Sequence, residues 1–230
     1  MAGSIQRTGF YASAGVPDLA IVNANLQRAY SADNPGGSGN VWWYRIGARV
    51  GSSGGSKRFR LAMMDTTAGT GSRGAGSRVP SAVLKYTAEA TTSSIFSGSN
   101  EGETRFVDLT EPYLGAMNKG YAFAAASRDN GFIIGMTQAA NIPAAHNTWF
   151  YDRATDGSGI PQAGYSTTVN AGNEAIWAEG ELNVAPNDPG VVVKSGAVNS
   201  QTPTLTASFS DANETLNNGV AWDRLEAHYH

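Results

Sequence analysis

The stretch Val41-Trp42-Trp43-Tyr44-Arg45-Ile46-Gly47-Ala48-Arg49-Val50 decides the fold class of this chain. Large aromatic and branched side chains recur in it at every second position, which predicts a β-strand with two different faces. Strict alternation divides the residues into an apolar set (Trp42, Tyr44, Ile46, Ala48, Val50) and a mixed set (Trp43, Arg45, Gly47, Arg49). We therefore expect Trp42 to face the core and Trp43 to be the more exposed tryptophan.

Two hairpins are predicted from turn residues that separate apolar segments. A Gly/Ser run at residues 51–56 follows the first strand, and residues 57–63 alternate again after it, which predicts a hairpin with a long turn. The second hairpin joins residues 121–127 to residues 132–137. Asn130-Gly131 lies between these segments and favours the positive φ angles of a type I′ turn.

The remaining strand signals predict the fold class. Short segments rich in aromatic and β-branched residues recur without a helical pattern between them, at 83–90, 104–109, 149–151, 165–169 and 175–184. Residues 18–30 allow a short helix or a strand, and we favour the strand. Because a parallel α/β fold would need crossover helices, the sequence predicts an all-β, antiparallel jelly-roll β-sandwich.

A domain boundary is predicted where prolines interrupt the strand pattern at residues 185–190. The sandwich is expected over residues 1–186, a linker over 187–201 and a second module over 202–230. That last segment is shorter than the roughly 40 residues that a domain without disulfides or metal needs in order to fold alone. We therefore expect it to be the first part of an incomplete Ig-like module, paired with the sandwich, a partner or further chain.

Composition excludes several functions. The 230 residues carry a net charge of −3, with only 15% charged residues and no cysteine. Binding to nucleic acid needs clustered Lys and Arg, so we expect none. Without cysteine the chain has no disulfide and no thiolate metal site. No apolar stretch approaches the roughly 18 residues of a membrane span or the apolar segment of a secretion signal, so we expect no membrane insertion.

Few residues are candidates for catalysis or metal binding. Glu179 and Glu181 share a strand face with Trp177, as glycosidase carboxylates can, but strand carboxylates also form solvated faces and protect sheet edges, and we favour that interpretation. His228 and His230 also share a face, yet two ligands do not make a zinc site. Residues 152–159 lack the calcium-binding pattern of an EF-hand. We expect no catalytic residue, cofactor or metal.

Adjacent aromatic residues carry the remaining functional signal. In Trp42-Trp43 and in residues 149–151, at least one ring must face away from the core. Such a ring can stack on a sugar, pack against another subunit or lie under a loop, and we favour packing. The candidate glycan or subunit contacts are Trp43, Trp149, Tyr151 and Trp177.

Two segments resemble parts of a known family. Residues 41–65, which end in Met63-Met64-Asp65, resemble jelly-roll domains in minor tail proteins of tailed phages, particularly those that infect actinobacteria. Residues 202–213 are similar to the opening strand of the immunoglobulin- or fibronectin-like repeats that follow such domains. The resemblance implies a non-enzymatic structural protein of the virion, assembled in the host cytoplasm and located in the tail tip or a fibre.

The same resemblance implies partners. It favours a homo-oligomer, with trimeric symmetry first, other virion structural proteins as neighbours, and a host cell-wall glycan as the candidate receptor. The alternative function is a carbohydrate-binding module, either free-standing or part of a larger enzyme. A third class, a glycoside hydrolase, requires Glu179 and Glu181 to line a cleft.

Overall fold

The computed structural model describes residues 5–11, 18–24, 26–31, 37–68, 78–97, 100–138, 149–165 and 167–183. Its strands are β1 (Ile5–Gly9), β2 (Asp18–Val22), β3 (Leu26–Ser31), β4 (Asn40–Ser52), β5 (Arg58–Ala68), β6 (Arg78–Tyr86), β7 (Ala90–Thr91), β8 (Phe96–Ser97), β9 (Asn100–Glu101), β10 (Glu103–Ala116), β11 (Ala122–Ser127), β12 (Phe132–Gln138), β13 (Trp149–Ala154), β14 (Thr167–Glu174) and β15 (Ile176–Leu182). Within these ranges there is no helix with the length and apolar character that crossing a membrane requires.

Thirteen of the strands form two antiparallel sheets arranged as a sandwich, so the predicted all-β jelly-roll class is confirmed, and β8 and β9 pair with each other as a separate ribbon. Sheet A contains β1, β2, β4, β10, β12 and β15. Sheet B contains β3, β5, β6, β7, β11 and β13. The strand β14 connects them, because its last residues pair with β12 and its first residues pair with β13.

The long strand β4 organises sheet A. One of its edges pairs with β10, and the other is shared by β15, opposite residues 41–48, and β12, opposite residues 50–52. The first strand, β1, lies on the far side of β15. One end of the sheet therefore has the order β1-β15-β4-β10, and this end carries the candidate site.

The core between the sheets consists of large aromatic and aliphatic side chains. Phe59 of sheet B stacks on Phe132 of sheet A, with ring centroids 4.7 Å apart. The hydroxyl of Tyr30, in sheet B, donates a hydrogen bond to the carbonyl of Ile176 in sheet A and accepts one from the amide of Phe10. This buried hydroxyl therefore links the two sheets with its hydrogen-bonding capacity satisfied.

The tryptophan prediction for β4 is wrong. Trp43 is fully buried and Trp42 is partly exposed, with its indole nitrogen donating to Asn183 at 3.2 Å. The cause is a β-bulge, because Trp43 pairs with Gly180 and Arg45 pairs with Glu179, which leaves Tyr44 as an extra residue. The bulge shifts the alternation by one position, so only the later part of the predicted core face is confirmed: Ile46, Ala48 and Val50.

Both predicted hairpins are also wrong. The strand β4 belongs to sheet A and β5 to sheet B, and the consecutive strands β11 and β12 are divided between the sheets in the same way. Each connection crosses from one sheet to the other. Among the described residues only glycines have positive φ, so Asn130-Gly131 is not a type I′ turn, which needs positive φ at both positions.

Burial explains why β11 does not pair with β12. All six residues of β11 are buried. Phe123 and Ala125 lie in the main core, whereas Ala122 and Ala124 pack in a second cluster with Tyr165. A strand covered on both faces fits the centre of a sheet, and β11 lies there, between β3 and β5.

Three further predictions concern the start and the end of the chain. The choice of strand over helix for residues 18–30 is confirmed by β2 and β3. The strand β1 was not predicted. The predicted linker at 187–201 and the partial module at 202–230 lie outside the described residues.

We expect Trp43→Ala to lower the free energy of unfolding by about 3–5 kcal/mol, because it removes a large buried ring and leaves a cavity. Trp42→Ala should cost only about 1 kcal/mol, since that ring is partly exposed and loses one exposed hydrogen bond. Urea denaturation of the two variants measures the difference. A larger loss for Trp42→Ala would contradict the bulge at Tyr44.

Substitution of Gly131 should destabilise the fold, chiefly because a residue with a side chain is strained at its φ angle. Its φ is +82°, and a Cβ atom there would lie 2.2 Å from the hydroxyl oxygen of Ser53. Gly131→Ala should therefore cost about 1 kcal/mol or more. Gly54→Ala is the matched control, because a Cβ at position 54 meets nothing within 4 Å. Equal melting temperatures for the two variants would contradict this description of the crossing.

Candidate functional site

The candidate site is the outer face of sheet A at its β1-β15-β4-β10 end. Strand register aligns the outward residues of the four strands in three rows. We call this surface the outer patch and define it by Tyr11 together with those rows: Gly9, Trp177, Gly47 and Phe106 in the first, Arg7, Glu179, Arg45 and Asp108 in the second, and Ile5, Glu181, Trp42 and Leu114 in the third.

Trp177 is the buried residue on which the exposed rings of the first row pack. Its indole lies against Gly47, where a Cβ atom would come within 2.5 Å of the ring, so only glycine permits this contact. Tyr11 and Phe106 meet the indole edge-on, with centroid distances of 4.8 and 5.8 Å. Trp177 is fully buried as a result, whereas Tyr11 remains 46% exposed and Phe106 45% exposed.

Glu179 is the centre of the second row. The Nε of Arg7 donates to its Oε1 at 2.8 Å, and Arg45 donates to its Oε2 through Nε at 2.9 Å and Nη2 at 2.6 Å. The indole nitrogen of Trp177 also donates to Oε1, at 3.2 Å. The carboxylate is fully buried and accepts four charge-assisted hydrogen bonds.

These contacts fix the ionisation of Glu179. Burial on its own would raise the pKa of this carboxyl, but hydrogen bonds from Arg7, Arg45 and Trp177 outweigh burial and hold the pKa below its ordinary value. The same carboxylate, through its hydrogen bond, raises the pKa of Arg7. Glu179 is therefore a permanently ionised group at neutral pH.

The two arginines also orient the exposed rings. The guanidinium of Arg7 lies over the ring of Tyr11, 4.5 Å from its centroid, and that of Arg45 lies over Phe106 at 4.6 Å. Each is a cation–π contact. Glu179 holds both guanidiniums, so one buried carboxylate positions both rings. The patch is preorganised before any partner arrives.

Glu181, in the third row, is only partly satisfied. It is 8% exposed, and its Oε2 has no hydrogen-bond partner among the described residues. Its neighbours on the adjacent strands are Ile5 and Trp42, which offer apolar surface at this position. A buried acceptor without a donor is costly to the stability of the fold.

The predicted contact residues occupy different places. Trp43 lies in the core and Trp177 lies beneath Tyr11 and Phe106, so the expectation that Trp43 is exposed is wrong. Trp149 and Tyr151 lie on β13 of sheet B, and their side chains are outside the described part of the structure. The four residues therefore do not form one surface.

The favoured interpretation of Glu179 and Glu181 as a solvated or edge-protecting face is wrong. Both side chains are buried, and β15 lies between β1 and β4 instead of at an edge. The hydrolase alternative gains no support either. A glycosidase acid needs a raised pKa, whereas that of Glu179 is lowered and both of its oxygens are bound by arginine.

The residues that the sequence offered as metal ligands are the acidic loop at 152–159 and the histidines. Within the described ranges, no group of three or more acidic or histidine residues could hold a metal ion. Asp156 of the 152–159 loop instead accepts a hydrogen bond from the amide of Ser158 at 2.9 Å, within a turn. Its pKa is lowered by hydrogen bonds from Ser158. His146, His228 and His230 lie outside the described residues.

Sequence reasoning missed Arg7 and Tyr11. Both depend on β1, whose alternation of apolar and polar residues covers only five positions. Phe106 was inside a predicted strand, but nothing local indicated that its ring is exposed beside Trp177. The usable signal was the alternation in β15, which correctly grouped Trp177, Glu179 and Glu181 on one face.

Comparisons with models of known protein families and with curated proteins found no match. The fold and the outer patch define the chain as an antiparallel β-sandwich with a preorganised aromatic surface. Its function must be inferred from the chemistry of that surface.

Glu179→Gln should lower the free energy of unfolding near neutral pH by about 3 kcal/mol, because two arginines lose their buried partner. The pKa of Glu179 lies below its ordinary 4.5 in the folded protein, so its stabilisation is present above that pH and disappears as the pH falls through the folded pKa. The difference between wild type and variant should therefore shrink in urea denaturation at decreasing pH.

The control is Glu111→Gln, which alters an ion pair with Lys85 whose carboxylate is 71% exposed. Ion pairs between exposed side chains contribute little to stability because water and salt screen them. If the two variants lost equal stability near neutral pH, Glu179 would not be the organising group described here.

Proposed function

We propose that this protein is a non-enzymatic structural component of a tailed-phage virion, in the tail tip or a fibre, and that its outer patch makes contact with the host surface. The observation that carries the proposal is the arrangement around Glu179. The most deeply buried carboxylate of the patch is bonded to two arginines and an indole, and it orients rings for contact. This chemistry suits recognition.

Two further features support the virion role. Residues 41–65 resemble jelly-roll domains of phage minor tail proteins, and the sandwich is of a class that viral capsid domains use. Side chains of an enzyme's acid and base would need pKa values near the working pH. The pKa of Glu179 is lowered, whereas a general acid at neutral pH needs a raised pKa.

The protein is proposed to assemble as a homo-oligomer, with a trimer as the favoured state. The support is the resemblance of residues 41–65 and 202–213 to phage minor tail proteins, which implies such an oligomer. In the proposed assembly residues 202–230 pair with a neighbouring copy and with other virion proteins. Assembly takes place in the host cytoplasm.

A carbohydrate-binding module is the second candidate. The exposed rings of Tyr11 and Phe106 favour it specifically. The two candidates make different predictions about location. A virion component is found in purified particles, whereas a free module or part of an enzyme is not.

Antibodies against the full chain should label one end of the tail in electron micrographs of the phage that encodes it, and light scattering of the purified chain should give a trimer. Neighbouring genes for a tape-measure protein or tail assembly are expected as well. Particles that contain no copy of the chain would refute the virion assignment. A monodisperse monomer would refute the proposed pairing between subunits.

A further inference from the structure

We propose that Asn130 is a modification site, at which the backbone nitrogen of Gly131 attacks the side-chain amide and converts asparagine spontaneously to aspartate and isoaspartate. The inference goes beyond the proposed function, because the reaction needs only the folded chain and water. Asparagine is among the thermolabile residues of proteins, and glycine offers the least hindered backbone nitrogen because it has no Cβ. The sequence contains an asparagine–glycine pair at residues 130–131 and another at 218–219, and the first lies within the described ranges.

The proposed reaction closes a ring and then opens it. Hydroxide from the solvent removes the amide proton of Gly131, the nitrogen forms a bond to Cγ of Asn130, and the bond from Cγ to the side-chain nitrogen breaks. That nitrogen takes a proton from water and leaves as ammonia, so the product is a cyclic succinimide. Water then adds to one of the two imide carbonyls. The ring opens to aspartate or to isoaspartate, in which the main chain continues through the side-chain carboxyl group.

The first argument is the environment of the side-chain amide. Asn130 is exposed, and its Oδ1 accepts a hydrogen bond from the backbone amide of Ala24 at 3.1 Å. Attack on Cγ moves negative charge onto this oxygen, and a donor that is already in place stabilises such charge, as in an oxyanion hole. The side-chain nitrogen has no hydrogen bond among the described residues, so ammonia can leave without the loss of a contact.

The second argument is the backbone amide of Gly131. Its carbonyl accepts a hydrogen bond from the amide of Ser53 at 2.9 Å, but its own N–H donates to no group in the described part of the chain. Gly131 is buried, and a buried N–H without an acceptor is rare because it is costly. Ring closure therefore removes an unsatisfied donor and breaks no hydrogen bond of the attacking nitrogen.

A comparable pair, Asp156-Gly157, lacks these features. Aspartate–glycine pairs also close to a succinimide, but the amide of Gly157 donates to Oγ1 of Thr155 at 3.4 Å. Hydrogen bonds from Ser158 lower the pKa of Asp156, so its carboxyl group is ionised at neutral pH. A carboxylate resists attack by a nucleophile because it already carries negative charge. The structure thus assigns reactivity to one of the two pairs.

The two products differ in their effect on the fold. Residues on either side of Asn130 bond to the connection between β4 and β5: Asp129 Oδ2 accepts from the amide of Arg58 at 2.8 Å, and the carbonyl of Gly131 accepts from that of Ser53. Aspartate keeps the length of the main chain. Isoaspartate inserts a methylene group between these two anchored residues, so we expect it to weaken at least one of the two hydrogen bonds.

The experiment follows residue 130 in the purified full chain. Samples are incubated in mildly alkaline buffer, folded or unfolded in urea, and peptides are analysed for the mass gained when NH₂ is replaced by OH. Trypsin cleaves after Arg128 and Arg153, which places Asn130 in peptide 129–153. The folded protein should convert Asn130 at a rate within about tenfold of that of the unfolded chain. A larger reduction would show that the fold protects Asn130 and would overturn the proposal.

Two variants identify the reacting groups. Asn130→Gln keeps an amide but must close a larger ring, so peptide 129–153 should lose the rapid mass gain although Asn141 and Asn147 remain in it. Asp156→Asn is the matched control, because it creates an asparagine–glycine pair whose glycine amide is hydrogen-bonded. Position 156 of this variant should react about fivefold more slowly than Asn130 in the same sample. Equal rates would overturn the argument from the free amide of Gly131.

The products test the structural consequence. The isoaspartyl form can be separated by ion exchange and identified with a methyltransferase that modifies only isoaspartate. It should unfold at a lower urea concentration than Asn130→Asp, which carries the same charge on an unmodified main chain. Equal midpoints would overturn the proposed effect on the connection between β4 and β5. Conversion of Asn130 in the folded chain supports the modification site whether or not virions contain the protein.

Discussion

The rest of the structure depends on one extra residue in the central strand of sheet A. Tyr44 is bulged between Trp43 and Arg45 in their pairing with β15. A one-residue shift moves every later side chain to the opposite face of a strand. Before the bulge Trp43 faces the core, and after it Ile46 faces the core. Without the bulge one of these two would point outward, and Arg45 would not lie opposite Glu179 on the outer face.

Local pattern predicted the strands well and their partners poorly. The alternation in β15 was read correctly, because that strand has no extra residue and its period of two runs from Ile176 to Leu182. The alternation in β4 failed at Tyr44, since a bulge depends on how neighbouring strands fit and not on local composition. Asn130-Gly131 suggested a hairpin because only its local composition was considered. The strand β11 is buried on both faces and lies in the centre of sheet B, so the chain crosses to sheet A after it.

The buried charge of Glu179 fixes the positions of neighbouring side chains. Desolvation makes a buried ion pair a weak source of net stability, but the geometry of its hydrogen bonds is specific. Here that geometry fixes Arg7 against Tyr11 and Arg45 against Phe106. Sequence alone placed the carboxylate beside Trp177 on one face. It could not supply the arginines, because one comes from the unpredicted β1 and the other follows the bulge.

The antiparallel pairing of β1 with β15 has a mechanical consequence. Residue 5 lies opposite residue 181, so the first residue of β1 and the last residues of β15 lie at the same end of the sheet. A tensile load that separated residues 5 and 183 would peel the pair apart one rung at a time instead of loading all rungs together in shear. The second side-chain contact to yield would be Arg7 with Glu179, which releases the guanidinium over Tyr11. Tension on the chain would thus separate Arg7 from Glu179 before it reached Phe10, which packs against the core.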